Sequence, residues 1–372
     1  MGIYLDIKKA FDTVNHDIML KKMYHYGIRG TVHNWFKSYL SNRMQYVKVN
    51  GCNSHIDTIE TGVPQGSVLG PLLYIMYVND IGNCANNIEQ CQIMLFADDT
   101  NVLWQGKDLQ NLMKRSESIL NTLEMWLCAN KLSLNVKKTN YCIFHSPACV
   151  IPENCDSIKI GCKQIERVKN VKYLGLIIDE KLNWKSHTHE LTRNLIKTAS
   201  TLKFIRNHVP NQCKLQLYYA YAYSKLIYGI EVYGNTSKTI TNKLQVFQNR
   251  ILKILYKVDW YTNTNLLHKA LSVLKLTDTR NLFIVKFVHR CKIGDISNVF
   301  KDYFTTRNKI HDKNTRNAYK YDIPSFRTTK YGQKTIKYLG AKLYNNLPKY
   351  ITSFVSMNTF NKNVKYFYLS QY

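Results

Sequence analysis

Ile93-Met94-Leu95-Phe96-Ala97-Asp98-Asp99-Thr100-Asn101-Val102-Leu103-Trp104 sets two acidic residues between two apolar runs. Ile93 to Phe96 and Val102 to Trp104 flank Ala97-Asp98-Asp99-Thr100, which predicts a β-hairpin with the aspartates at its tip. A lone Asp-Asp pair is ordinarily a β-turn, since both side chains bond their own backbone. A third acidic residue changes that reading. Asp6 closes the apolar run Ile3-Tyr4-Leu5, which predicts a central strand. Carboxylates at strand ends, beside solvent-facing loops, suit divalent cations. Two or three that converge can hold a pair of Mg²⁺ ions about 3.5–4 Å apart, the arrangement that stabilises both oxygens of an in-line phosphoryl displacement.

Around these residues, short strands alternate with amphipathic helices from Gly2 to about Phe144. Helical spacing of apolar residues covers His16 to Tyr26 and Thr31 to Leu40, with Gly27 and Gly30 at the junctions. Tyr46 to Val49 and Ile56 to Ile59 alternate like a hairpin about Asn50-Gly51, a strong two-residue turn signal. Leu112, Ile119, Leu123 and Leu127 mark a long helix over Leu109 to Leu132. Short strands are expected at Ser157 to Ile160 and Tyr173 to Ile178. Beyond Trp184 the chain turns helical, with helices expected at His189 to Asn207, Asn211 to Tyr228 and Ile240 to Tyr256. A polar stretch, Thr305 to Arg316, reads as a linker before a small C-terminal segment.

The charge points the same way as the carboxylates. With 52 Lys and Arg against 25 Asp and Glu, the net charge is +27. Such a surplus favours a polyanionic partner, because each phosphate neutralised releases condensed counterions; an acidic membrane surface would satisfy the charge alone equally well. No apolar run reaches the roughly 18 residues of a membrane-spanning helix. No secretory signal is visible. The ten cysteines form no C-x-x-C pair and no even framework, so they read as reduced thiols and the expected setting is the cytoplasm and nucleus.

Five segments carry a resemblance. Leu5-Asp6-Ile7-Lys8-Lys9-Ala10-Phe11-Asp12-Thr13-Val14-Asn15-His16 resembles motif A of non-LTR reverse transcriptases. Gly62-Val63-Pro64-Gln65-Gly66-Ser67-Val68-Leu69-Gly70-Pro71 resembles their motif B, and Phe96-Ala97-Asp98-Asp99 their motif C. Leu134-Asn135-Val136-Lys137-Lys138-Thr139 is similar to motif D and Val171-Lys172-Tyr173-Leu174-Gly175 to motif E. Five motifs in family order are specific where any one would not be. Looser likeness to jockey-type LINE elements continues through Leu182-Asn183-Trp184 with His187, Gly340, and Leu343-Tyr344-Asn345-Asn346-Leu347-Pro348.

The resemblance implies an α+β fold: a reverse-transcriptase palm, an antiparallel sheet packed on helices, over residues 1–180. A helical thumb-like domain would follow over 181–300 and a small segment over 301–372. It implies an RNA-directed DNA polymerase that takes an RNA template, a DNA primer and deoxynucleoside triphosphates, with two Mg²⁺ ions, Mn²⁺ being the alternative. Asp6 and Asp98 would be the main metal ligands, with Asp99 supporting them. Phe11 would lie under the incoming sugar, where a ring excludes a 2′-hydroxyl; a core phenylalanine is the plainer alternative. Gln65 and Gly66 would approach the nascent base pair. Lys138 would protonate the leaving pyrophosphate, and Tyr173, Leu174 and Gly175 would steady the primer 3′ end. Asp12 and Asp80 read as structural, Asp12 as a cap before the first helix. Since the sequence opens just before motif A, the family's fingers are expected to be largely missing and the grip on the triphosphate weak. The competing class is therefore an inactive remnant that at most binds RNA.

Other signals carry less. Cys149, Cys155 and Cys162 do not match zinc spacings, and His187-x-His189 lacks further ligands. Tyr218, Tyr219, Tyr221, Tyr223, Tyr228 and Tyr233 suit helix packing better than base stacking. Arg193, Lys197, Lys203 and Arg206 are candidates for a template-primer groove. Ala97 before the aspartates, with Phe11, argues against RNA-dependent RNA polymerases, and no maturase-specific domain is apparent.

Overall fold

The apolar run that ends in Asp6 becomes the middle of a sheet, with a hydrogen-bonded strand on each side. The structure, a computed structural model, describes residues 1–85, 90–152, 158–161, 163–310 and 317–372. The chain divides into two units, one of 1–171 with 179–182, the other of 172–178 with 183–372.

The first unit opens with β1 (Gly2–Asp6), α1 (His16–His25) and α2 (Gly30–Leu40). Four short strands follow, β2 (Arg43–Gln45), β3 (Lys48–Val49), β4 (Cys52–Asn53) and β5 (Asp57–Ile59), and then α3 (Leu69–Val78). The acidic hairpin is β6 (Cys91–Phe96) and β7 (Asp99–Trp104), followed by α4 (Leu109–Ala129) and β8 (Asn140–Cys142). Short strands β9 (Lys159–Ile160), β10 (Lys163–Gln164) and β11 (Glu166–Arg167) come next. The unit boundary runs through the hairpin of β12 (Asn170–Tyr173) and β13 (Leu176–Asp179).

The five-stranded sheet has the order β11-β8-β1-β7-β6; every pairing is antiparallel except that of β11 with β8. Its core face carries Ile3, Leu5, Val102 and Trp104 against Ile119, Leu120 and Leu123 of α4, all buried. Each such side chain contributes roughly 1.5–3 kcal/mol by leaving water. Asp108 starts α4 by accepting hydrogen bonds from the N–H groups of Gln110 and Asn111, which the helix leaves unpaired. A second cluster packs α1 on α3 through Met19, Met23, Leu73, Tyr74 and Tyr77.

Two expectations are corrected here. The Asn50-Gly51 turn is present, with φ of 50° and 86°, but it joins only β3 to β4. The segment after it pairs further back: β5 lies on β2, Ile59 opposite Arg43. The α1 cap is Asn15, whose side chain accepts from the Ile18 N–H, and not Asp12. Asp12 lies too early for that bond, since a cap reaches two or three residues ahead.

The second unit is helical. It holds α5 (Lys185–Ile205), α6 (Asn211–Tyr218), a π-turn over Tyr219–Tyr223, α7 (Ser224–Ile227), α8 (Ile230–Tyr233) and α9 (Lys238–Tyr256). After these come α10 (Thr264–Ala270), α11 (Leu276–Ile293), α12 (Ile336–Asn345), α13 (Lys349–Thr352) and α14 (Met357–Leu369). Leu191, Leu195 and Leu202 of α5 meet Leu244, Ile251 and Leu255 of α9. Val285 and Val288 of α11 belong to a separate core with Ala341, Phe360 and Val364. Tyr218 and Tyr233 are fully buried, as helix packing requires, while Tyr221 and Tyr228 stay exposed. Arg206 is half-buried and donates to the Ile254 carbonyl at 3.0 Å, whereas Arg193, Lys197 and Lys203 are exposed. His187 is packed on the Tyr233 ring at 4.9 Å and accepts from the Ile177 N–H, and burial holds its pKa down.

No helix of the described residues is long and apolar enough to cross a membrane. Eight cysteines among them are free thiols. Cys155, Cys162, Ser157 and positions 311–316 of the expected linker lie outside the described residues.

Candidate active site

The sheet register assembles the carboxylates. Asp6 is the last residue of β1 and lies directly opposite Asp99, the first of β7. Phe96 also pairs with Asp99, so Ala97 and Asp98 form the two-residue turn between β6 and β7. Ala97 holds that turn in the left-handed region at φ 51°, where a Cβ costs roughly 1–2 kcal/mol. Directly opposed residues share a face, so Tyr4, Asp6, Asp99 and Asn101 lie on the face turned away from α4. Burial, then the charges of Asp98 and Asp6, push the Asp99 carboxyl up. The three acids thus sit in one electrostatic field. Among the described residues no group of three or more His, Cys, Asp or Glu side chains is placed to hold a metal ion by itself. Mg²⁺ is commonly held by one or two carboxylates with substrate phosphates and water completing its shell, and this all-oxygen donor set fits it.

Motifs A and B are stitched together along the chain after β1. The Gly62 N–H donates to the Val14 carbonyl at 2.7 Å and the Val63 N–H to the Phe11 carbonyl at 2.8 Å. His16 Nε2 is 2.7 Å from the Gly62 carbonyl oxygen. Gly62, at φ 92°, passes so close to Asp12 that an added Cβ would lie 2.8 Å from its carbonyl oxygen. Gln65 Nε2 donates to Asp12 Oδ1 at 2.8 Å, which gives Asp12 its role: it fixes the motif B turn. Gly66 follows at φ 79° with open space where a side chain would go. Beside Gln65 opens a cleft of about 610 Å³, also lined by Asp12, Arg43, Thr58 and Glu60. Phe11 is half-buried, its ring 4.7 Å from that of Tyr74 in α3.

Lys138 is exposed in a turn bound to the end of β1. The Asn135 N–H donates to the Asp6 carbonyl at 2.8 Å, the Asp6 N–H donates to Thr139 Oγ1 at 3.3 Å, and the Lys138 N–H closes the turn onto Asn135. The backbone therefore brings the motif D loop to Asp6.

Tyr173, Leu174 and Gly175 form the β12–β13 turn, Leu174 at φ 45° and Gly175 at φ 76°. Tyr228, after α7, donates its hydroxyl to the Leu174 carbonyl at 2.6 Å. Its ring lies under Gly175, where a Cβ would meet Tyr228 Cε1 at 3.1 Å.

Three neighbours join the site that no sequence motif marks. Tyr74 is fully buried, its hydroxyl without a hydrogen-bond partner among the described residues, and burial followed by the Asp98 charge drives its pKa up. Asn101 is 1% exposed, with neither side-chain polar atom bonded among the described residues, two residues along β7 from Asp99. Alternation alone would have put it on the acidic face. Arg43 supplies the cation of the cleft beside Gln65; nothing in its local sequence marks it.

Residues 1–178 match the family model for reverse transcriptase (RNA-dependent DNA polymerase). The chain is 29% identical over 300 residues to the RNA-directed DNA polymerase from mobile element jockey of Drosophila melanogaster, covering 79% of this chain and 32% of that protein. It is 27% identical over 287 residues to the probable RNA-directed DNA polymerase from transposon BS of the same organism, covering 73% and 30%. To a retrovirus-related Pol polyprotein from type-1 retrotransposable element R2 of Popillia japonica it is 27% identical over 285 residues, covering 72% and 44%. The chain spans about a third of the length of the first two of these relatives.

Proposed function

We propose that this chain, which belongs through residues 1–178 to the reverse transcriptase family and is homologous to non-LTR retrotransposon RNA-directed DNA polymerases, copies RNA into DNA. The observation that carries the reading is the register of Asp6 against Asp99, with Asp98 on the adjoining turn. In this reading Asp6 and Asp98 hold two Mg²⁺ ions, with Asp99 supporting them. When bound, the ions would activate the primer hydroxyl and neutralise charge on the departing pyrophosphate.

The chain's own residues do the rest. Phe11, backed by Tyr74, sets a ring where a ribose 2′-hydroxyl would clash. Gln65, steadied by Asp12, faces the nascent pair, and Gly66 lets the backbone come close. Lys138, on the loop tied to Asp6, donates the proton that the leaving group needs. The Tyr173-Leu174-Gly175 turn, pinned by Tyr228, steadies the primer terminus. RNA template, DNA primer and deoxynucleoside triphosphates are the partners this implies.

Primer extension on poly(rA)/oligo(dT) with Mg²⁺ tests the reading. Extension by the wild-type chain that Asp98→Asn abolishes is the expected result. Absence of extension, with salt-sensitive RNA binding retained, would refute it and leave an RNA-binding protein.

A further inference from the structure

The last 72 residues hold fourteen Lys and Arg against three Asp and no Glu, a denser excess than the chain's average. Within the second unit this charge gathers at one cleft. Lys292 of α11, Lys320 and Lys349 border a cavity of about 140 Å³, with Thr306, Tyr319 and Asn345 also in its wall and, among the described residues, no acidic one lining it. The wall is rigid. Asn345 grips the Tyr321 backbone at both ends, its Oδ1 accepting from the N–H at 2.9 Å and its Nδ2 donating to the carbonyl at 2.8 Å. The Arg307 N–H donates to the Lys320 carbonyl and the Asp322 N–H to the Thr305 carbonyl, which fixes Tyr319 and Lys320 between. Lys349 stands 4.5 Å over the ring of Tyr319, itself 51% exposed.

We propose that this cleft is a second nucleic-acid site, taking a backbone phosphate of single-stranded RNA among Lys292, Lys320 and Lys349 while Tyr319 stacks on the adjoining base. A cavity this small is below the size of cofactor pockets but admits a phosphate. Lys292 donates to the Thr352 carbonyl at 2.7 Å, and desolvation holds its pKa down, with no carboxylate paired to it among the described residues. An anion would supply the missing counter-charge. An exposed tyrosine beside a cation is the stacking platform of single-strand binders, which favours RNA over an anionic lipid surface. The site goes beyond polymerisation: it belongs to the second unit, whereas the carboxylates belong to the first.

The test is fluorescence anisotropy of a labelled single-stranded RNA on the full chain across a salt series. Each phosphate contact contributes a slope of about −0.7 in log K against log salt. Lys320→Gln/Lys349→Gln, which removes the hold on that one phosphate, is expected to flatten the slope by about 0.7. Tyr319→Ala should weaken binding several-fold with the slope kept. The pair Lys243→Gln/Lys269→Gln, two exposed lysines outside the cleft, should leave the slope as it is. Unaltered wild-type slope in the cleft variant, equal flattening in the control pair, or loss of phosphatidylserine-vesicle binding with RNA binding intact would each overturn the proposal. Primer extension on a short template should be unaffected by the cleft variant, so failure of this site and failure of the polymerase reading give different results.

Discussion

Asp80 is the residue whose removal tests the framework under the site most directly. Lys22 of α1 donates from Nζ to Asp80 Oδ1 and to the Tyr77 carbonyl, each at 2.6 Å, tying α1 to the end of α3. Its ammonium also lies 5.0 Å from the ring centres of Tyr77 and Trp126. The Lys22 side chain is 13% exposed and that of Asp80 38%. Two unit charges about 4 Å apart attract by about 4 kcal/mol at an effective dielectric of 20. Water reaching Asp80, and the Tyr77 and ring contacts that survive, bring the expected cost of Asp80→Ala down to about 2 kcal/mol. Lys22→Met should cost about 1 kcal/mol, because an exposed Asp80 is left to water. The double variant should cost little more than Lys22→Met alone. Urea unfolding followed by tryptophan fluorescence reads all three. Desolvation holds the Lys22 pKa below its ordinary value and Asp80 opposes that. The unfolded chain therefore binds this proton more tightly, so stability from the site rises with pH between the lowered value and 10.5. Without Asp80 that window widens downward, and the Asp80→Ala deficit should shrink from pH 8 to pH 10. Additive losses in the double variant, or a deficit flat in pH, would refute the reasoning.

Other expectations follow from single contacts. Gly62→Ala, forced against the Asp12 backbone at φ 92°, should cost about 3 kcal/mol in urea unfolding; Gly66→Ala, with open space, should cost about 1 kcal/mol and show its main effect as lost extension. Because its pKa is raised, Asp99 binds a proton more tightly folded than unfolded, so its stability term declines as pH rises from 3.8. Asp99→Asn without divalent cation should thus unfold at higher temperature near pH 7 but not below pH 3.8. Tyr228→Phe loses the bond to Leu174 while keeping the ring under Gly175; it should raise the KM for primer-template several-fold and leave that for nucleotide unchanged in steady-state assays.

The parts of the fold legible in the sequence are those written in short-range pattern. Strand-ending Asp6, the hairpin about Asp98 and the α4 stripe each follow from residues within one turn or one strand of each other. What was hidden depends on distant partners. The apolar alternation of Ile56 to Ile59 fits any neighbouring strand, and its pairing with Arg43 to Gln45 is decided by which ladder closes. The Tyr and Ala stretch from Tyr218 to Tyr223 reads as plain helix, yet the structure winds Tyr219 to Tyr223 as a π-turn that nothing in the residues marks. Asp12 looked like a cap because it stands near a helix; its carboxylate is instead taken by Gln65, fifty-three positions away. Tyr74 and Arg43 escaped notice because they join the site only through packing.

The sheet ends on β6, which among the described strands has a neighbour only on its β7 side. Its Met94, Leu95 and Phe96 are 39%, 38% and 59% exposed. A strand edge that is unpaired and greasy is a template for another copy of itself, and natural sheets usually guard such edges with lysine or proline. In a protein whose charge of +27 keeps copies apart, that guard is electrostatic and long-range. Salt shortens its reach to about 3 Å at 1 M. The chain's tendency to clump should therefore grow as ionic strength rises, the reverse of proteins held together by ion pairs.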